Sequence, residues 1–264
     1  MRKLKHTFKS DILFKMTFVK YKHLLKCLVA AVLKIAVEDI EEFVILNSEI
    51  VPEAVDKKFC RLDIHLKVNG QHVDVEMQVS DKGNFSERLL VYWSKVFSGA
   101  LGSGDDYAVV PKAILISFVN FPLFECAEYH SEFVCMEKHR YELLTDRMNI
   151  FVFELGKLPK EIDKDNILEL FLRLFKADTE EELETLENLE VDEMTQMVNA
   201  YRDIVGSPDY ADLERRRLMS AMDENQAINH ARRTGYQEAE VVYTKQLADK
   251  DAEIARLREQ LNAK

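Results

Sequence analysis

Long apolar runs are missing from this sequence, and with them the usual signature of a membrane-spanning helix. The most hydrophobic stretch, near the amino terminus, is interrupted by Lys26, Lys34 and Glu38, whereas a span needs about 20 consecutive apolar residues. The same stretch lacks the small-residue cleavage site that follows a secretory leader. We therefore expect a cytoplasmic protein with no membrane partner.

Two common kinds of site are also missing, because cysteine and glycine are sparse. The four cysteines lie far apart in a chain of 264 residues, which is large enough to bury a core without disulfides. Cys126, His130, Cys135 and His139 do not have the spacing of a zinc finger. Residues 102–104 (GSG) lack the third glycine of a dinucleotide loop. We expect reduced thiols, no zinc and no nucleotide cofactor.

Positive charge is in deficit, since the net charge is -11. That balance is unfavourable for a protein that binds nucleic acid through its phosphates. The charge is unevenly spread, however. Residues 1–35 hold nine Lys or Arg against the single acid Asp11, and residues 178–193 hold nine acids and no base. A local basic surface on an acidic protein is therefore compatible with the sequence.

The clearest local signal is a β-hairpin in residues 59–79, where polar and apolar residues alternate. Asn69 and Gly70 lie in its middle, and an Asn-Gly pair between two alternating runs favours a two-residue type I′ turn. Such a turn fixes the register, because Val68 must face Gln71 and the residue numbers of every facing pair then sum to 139. One face of the hairpin is wholly apolar in that register.

Two acids, Asp63 and Glu76, face each other on the polar side of this hairpin. Carboxylates placed directly opposite are unfavourable unless a positive charge lies between them, and a divalent cation supplies that charge. Gln78 shares the face and could position water or a phosphate oxygen. Alternatively, Arg61 or Lys67 neutralises the acids as an ordinary ion pair. The polar face carries Arg61, Asp63, His65, Asp74, Glu76 and Gln78.

The surrounding pattern predicts an α/β protein. Residues 8–37 have helical spacing, and Ser86 is placed to cap a second helix over residues 86–100. Residues 113–119 form a continuous apolar run typical of a buried strand, and residues 150–155 predict another strand. A strand, a helix and a buried strand in succession indicate a crossover unit.

Three segments follow from the change in composition along the chain. We predict a domain over residues 1–160, an acidic helical segment over residues 161–205 and a helical tail over residues 206–264. In the tail, Leu247, Ile254 and Leu261 recur at seven-residue intervals with Leu257 between them. This spacing predicts a short amphipathic or coiled-coil helix, through which we expect the chain to form a homo-oligomer.

Five short motifs, in this order, resemble those of the PD-(D/E)xK nuclease family transposases, also called recombination-promoting nucleases. The resemblance covers roughly residues 8–160. The motifs are residues 10–15 (SDILFK), 61–63 (RLD), 75–78 (VEMQ), 88–95 (RLLVYWSK) and 104–107 (GDDY).

The resemblance implies a three-layer, restriction-endonuclease-like α/β core with a mixed sheet, and DNA cleavage that depends on Mg²⁺, with Mn²⁺ as a substitute. Asp63 and Glu76 match the metal ligands and catalytic acids of the family. Gln78 stands where the family motif usually has lysine, so this position lacks a positive charge and we expect weaker chemistry. The implied activity is that of a DNA endonuclease associated with recombination.

Other matched positions have two interpretations each. Asp11 matches an acidic family position on the first helix and is a candidate metal ligand; alternatively, it serves only the first turn of that helix or its surface. Arg88, Tyr92 and Lys95 recur at helical spacing and predict a DNA-binding edge that contacts phosphates. Alternatively, Tyr92 packs in the core while the two basic residues are solvated. A competing hypothesis for the whole chain is a catalytically weak or inactive nuclease fold that binds DNA or protein.

Overall fold

A mixed sheet with helices on both faces forms the body of the protein, as seen in a computed structural model. The structure describes residues 2–47, 64–81, 83–102, 104 and 106–262. The strands are β1 (Phe43–Ile45), β2 (Ile64–Val68), β3 (Gln71–Gln78), β4 (Ala113–Val119), β5 (His130–Met136) and β6 (Leu143–Glu154). The helices are α1 (Asp11–Lys20), α2 (Lys22–Leu33), α3 (Phe85–Gly99), α4 (Ile167–Lys176), α5 (Glu180–Glu187), α6 (Asp192–Val205) and α7 (Pro208–Asn262).

The sheet runs in the order β1-β2-β3-β4-β6-β5. Strand β4 pairs in parallel with β3 and β6, and the remaining pairs are antiparallel. Helices α1, α2 and α4 cover one face through a large apolar core, and α3 covers the other through a smaller one. This arrangement confirms the three-layer α/β fold that the sequence predicts.

The central hairpin has the predicted register. Asn69 and Gly70 both have positive φ, 46° and 77°, as a type I′ turn requires. Val68 faces Gln71, and the pairing continues without a slip as far as Ile64. Asp63 lies one residue beyond the strand and outside the described residues, so its pairing with Glu76 stays a prediction.

The strand–helix–strand crossover is also confirmed, since β3 and β4 are parallel neighbours joined through α3. The predicted helix cap is wrong by two residues. The helix begins at Phe85 with Asn84 at the cap position, and Ser86 lies inside the first turn. The physical reason is that Phe85 belongs to the helix's own buried face, packed with Leu89.

The single helix predicted over residues 8–37 is two helices, α1 and α2. The chain leaves the helical region at Tyr21, where φ is -106° and ψ is 63°. The Tyr21 hydroxyl donates to Asp203 of α6 at 2.7 Å, beside an ion pair between Lys20 and Asp203. This contact joins residues far apart in the sequence, so local spacing gave no sign of the break.

The sheet ends in a second antiparallel pair, β5 and β6, of which the sequence predicts only a strand over residues 150–155. Strand β6 extends well before residue 150, and β5 pairs with it along the sheet's edge. Phe133, Val134 and Met136 of β5 are exposed, so the alternation of buried and exposed positions is too weak to reveal a strand. His130, at the start of β5, stacks on Phe153 with ring centroids 4.7 Å apart.

The chain divides into two compact units, the first ending at Leu213 and the second beginning at Glu214. Helices α4, α5 and α6 belong to the first unit and contribute to its large core. Helix α7 starts with proline at Pro208 and continues for 55 residues. Among the described residues, no helix is both long enough and apolar enough to cross a membrane. The separate roles of the three predicted segments stay a prediction.

Candidate active site

Alternation along β3 places its acids on one face of the sheet and its aliphatic residues on the other. Asp74, Glu76 and Gln78 point toward the side covered by α3, because successive side chains in a strand alternate. Asp74 is 0% exposed and Glu76 only 3%. Strand β4 pairs with β3 from His72 to Gln78, and β2 pairs with it as far as Val75, so the backbone beneath these side chains is held within the sheet.

Arg88 of α3 joins the acidic and amide groups of β3. Its Nη2 atom lies 3.6 Å from Oε1 of Glu76 and donates to Oε1 of Gln78 at 3.2 Å. The same nitrogen donates to the hydroxyl of Tyr92 at 2.7 Å. The guanidinium also lies over the rings of Tyr92 and Phe85, at 5.3 Å and 5.9 Å from their centroids. Stacking and hydrogen bonding together fix the position of this charge.

Gln78 is held at both ends of its carboxamide. Its oxygen accepts from Arg88, and its nitrogen donates to the carbonyl of Ser80 at 2.9 Å. An amide nitrogen has two hydrogens, so a second donor remains beside Glu76 with a fixed orientation. A lysine at this position would bring a mobile positive charge, whereas here the positive charge comes from Arg88.

Lys95 lies near the other end of the polar face. Burial first, then the charges of His72 and Lys95, lower the pKa of His65 to about 4. Burial also lowers the pKa of His72. The two imidazoles are joined by a hydrogen bond of 3.1 Å between Nε2 of His65 and Nδ1 of His72. They are therefore a neutral pair at pH 7, with the exposed Lys95 beside them.

The structure thus brings Glu76, Gln78, Arg88 and Tyr92 together. Tyr92 combines both of its predicted roles, since it also packs against the smaller core. Asp11 lies in the first turn of α1 and is exposed. Helix α1 covers the opposite face of the sheet, where Phe14 contacts the ring of Phe118. A role for Asp11 as a metal ligand stays a prediction.

A comparison with known protein families agrees with this geometry. The chain matches the PD-(D/E)XK nuclease family transposase model over residues 8–231. The chain belongs to this family. No curated protein and no solved structure gives a significant match. For this nuclease-family chain, the matched region covers the whole sheet and every helix up to the first part of α7.

Sequence reasoning missed Ser117, which lies beside Glu76 on the next strand of this nuclease-family sheet. The two residues are register partners across β3 and β4. Ser117 is 0% exposed, and its hydroxyl has no hydrogen-bond partner among the described residues. A lone serine inside the apolar run AILISFV was the signal available. Buried hydroxyls are usually paired, which makes this one notable.

The donor chemistry of the site fits a hard divalent cation. Glu76 and Asp74 supply carboxylate oxygens from a rigid strand, and Mg²⁺ prefers such ligands together with water. Within the described ranges, no three His, Cys, Asp or Glu side chains cluster closely enough to hold a metal by themselves. The predicted pair includes Asp63, which lies outside those ranges, so the full ligand set stays a prediction.

Proposed function

We propose that this chain is a metal-dependent DNA endonuclease that serves DNA recombination in the cytoplasm. The observation that carries the proposal is the buried carboxylate of Glu76 on the central strand, with Arg88 at 3.6 Å and Gln78 two residues further along. Membership of a nuclease family supports the reaction class. Hydrolysis of a phosphodiester bond needs groups that stabilise negative charge on phosphate, and this face of the sheet supplies them.

Asp63 and Glu76 would hold Mg²⁺ or Mn²⁺. When bound, such an ion acidifies and orients a water and neutralises charge on the phosphate. The side chains of the protein then have separate tasks. Glu76 keeps its position because β3 pairs with β4 here and Arg88 contacts the carboxylate, and Gln78 offers its second amide hydrogen to the water or to a phosphate oxygen. Arg88 and Tyr92 contact the DNA backbone from α3, and Lys95 extends this edge.

Binding of DNA by an acidic protein requires that its basic residues be locally concentrated. Arg88 and Lys95 lie two turns apart on α3 and provide this concentration at the site. The nine basic side chains of residues 1–35 belong to the segment that includes α1 and α2, which cover the other face, and would contact more distant DNA. Contacts to phosphate position the backbone without reading sequence. We therefore expect DNA binding that weakens steeply as salt concentration rises.

The test is cleavage of supercoiled plasmid by the purified full chain with Mg²⁺, with EDTA and with Asp63→Ala in parallel. Cleavage that requires both the metal and Asp63 supports the proposal. A folded wild type that cuts in no lane, or an Asp63→Ala variant that cuts as fast as wild type, contradicts it. Circular dichroism on both proteins separates loss of chemistry from loss of fold.

One observation favours a second candidate, a nuclease fold that binds DNA or protein without cutting. Arg88 already places a positive charge beside Glu76, and a guanidinium neutralises a carboxylate without any metal. Isothermal titration calorimetry with Mg²⁺ and Mn²⁺ discriminates the two functions. Metal binding that is lost in Glu76→Gln supports the endonuclease, whereas no heat with either ion favours the binding factor.

A further inference from the structure

The carboxyl-terminal part of α7 carries an exposed apolar stripe that the proposed nuclease chemistry does not use. It lies after residue 231, where the family match ends. From residue 232 to the end of the described side chains, seven large apolar side chains are exposed. Five of these fall on the seam positions of a single heptad register: Tyr236, Tyr243, Leu247, Ile254 and Leu257.

The side chains of the stripe are exposed in a single chain and pack against no other described residue as a seam would. In a heptad labelled abcdefg, Leu247 and Ile254 occupy position a, and the other three occupy position d. Val241 and Val242 fall outside it. Tyr236 is 72% exposed and Leu257 52%. Exposed apolar stripes of this kind mark interaction surfaces, and isolated helices obtain most of their stability from packing such a face.

Two charged residues interrupt the seam, and their positions decide whether two copies of the helix can pair in parallel. Glu240 occupies an a position and Lys250 a d position. In a parallel pair of identical helices, each core residue meets its own copy, so Glu240 would face glutamate and Lys250 would face lysine. Like charges brought together in a core are strongly unfavourable. A parallel pair of this segment is therefore disfavoured.

An antiparallel pair removes both conflicts at once. Position a then meets position d of the other helix, and the register in which facing residue numbers sum to 490 pairs Glu240 with Lys250 twice. The same register pairs Leu247 with Tyr243 and Ile254 with Tyr236. A shift by one heptad in either direction would set Glu240 against Tyr243 or Leu257, and Lys250 against Arg233 or Leu247. Neither charge would then meet an opposite charge. The complementarity of charge selects one orientation and one register.

We propose that two copies of this chain associate through an antiparallel coiled coil of α7, with Glu240 of each copy paired to Lys250 of the other. In one chain Lys250 contacts Glu253 at 3.2 Å, with both side chains more than half exposed. Such a surface pair contributes little, so exchanging it for Glu240 costs little. Tyr236 and Tyr243 suit this seam, because their rings are buried while their hydroxyls reach its edge.

Charge reversal tests the proposed pairing on the full chain, with mass measured by light scattering. Wild type should have twice the 30.7 kDa mass of one chain. Glu240→Lys and Lys250→Glu should each be monomeric at the same concentration, because each sets like charges together. The double variant should be dimeric again. Monomeric wild type overturns the proposal, as do single variants that dimerise as well as wild type.

Disulfide trapping tests orientation and register separately. Tyr236→Cys and Ile254→Cys should not cross-link when each variant is oxidised alone, because each cysteine lies about 27 Å from its own copy at 1.5 Å per residue. A mixture allowed to exchange subunits should form the disulfide, since the two positions face each other. Self-linking of either variant above the wild-type background would show a parallel pair and overturn the proposal. Neither result depends on nuclease activity.

Discussion

The two faces of the central sheet differ in what their buried side chains contribute. On the face covered by α1, α2 and α4, strand β4 presents Phe118, whose ring contacts Phe153 and Phe175 at 5.5 Å and 5.1 Å between centroids. On the face covered by α3, Ser117 of β4 and Glu76 of β3 are both almost completely buried. Neighbouring residues of β4 therefore differ in role: Phe118 packs in the large core, and Ser117 lies on the polar face that carries the proposed site.

This difference has an energetic meaning. Burial of an aromatic ring stabilises the fold in proportion to the apolar area removed from water, whereas burial of a carboxylate or a hydroxyl opposes folding unless it is paired. The buried polar side chains of the face covered by α3, Asp74, Glu76 and Ser117, therefore contribute less to stability than the aromatic rings of the opposite face. Buried ionisable groups cluster at functional sites, so we expect a function on that face.

The largest expected effect lies on the polar face. Glu76→Gln keeps the shape of the side chain and removes its charge, so metal-dependent plasmid cleavage should fall by at least about 1,000-fold, or about 4 kcal/mol of transition-state stabilisation. The melting temperature should change little, because the carboxamide keeps the shape of the side chain and its oxygen remains an acceptor for Arg88, which lies 3.6 Å from Glu76. Initial cleavage rates at saturating Mg²⁺ and a thermal melt test both statements. Cleavage within tenfold of wild type would remove Glu76 from the active site.

The second prediction concerns the apolar face. Phe118→Ala should lower the free energy of unfolding by roughly 3–5 kcal/mol, because it leaves a cavity between three aromatic rings. Urea unfolding measures this loss. Cleavage per folded molecule should be unchanged. Glu76→Gln should therefore lower activity but not stability, and Phe118→Ala should lower stability but not activity. A stable Phe118→Ala protein without activity would show that the two faces are not separable.

The sequence predicts the difference between the two faces of the sheet only in part. The hairpin register follows from Asn69-Gly70 and local alternation, and it correctly assigns Glu76 and Gln78 to one face. Arg88 was identified by its helical spacing. Its contact with Glu76 depends on how α3 packs across the sheet, which local spacing does not determine. Ser117 was missed for the same reason, since parallel pairing joins it to Glu76 across 41 residues.

The third prediction concerns a smaller change at Ser117, which is as fully buried as Phe118. Ser117→Ala removes a buried hydroxyl that has no hydrogen-bond partner among the described residues. The free energy of unfolding should therefore be unchanged or rise by up to about 1 kcal/mol. Urea unfolding beside Phe118→Ala makes a matched pair, since the two positions are adjacent on β4. A loss above about 1 kcal/mol would show that the hydroxyl is paired in solution.

The smallest effect is expected at His130, a titratable ring on the apolar face. Its imidazole stacks on Phe153, and burial, followed by the charge of Lys34, lowers its pKa, which Glu132 partly opposes. The unfolded chain therefore binds a proton more readily than the folded one at pH values below about 6.5. Stability due to the neutral ring is present above that pH and is lost as the pH falls through this range.

His130→Phe keeps the stacked ring and removes the proton. The variant should gain stability relative to wild type as the pH is lowered from 7.5 to about 5, and the difference should be smallest at the upper end. Urea midpoints of the two proteins across this range measure it. A constant difference at every pH would show that His130 titrates alike in the folded and unfolded chains. The apolar face would then tolerate a charge that its packing is expected to reject.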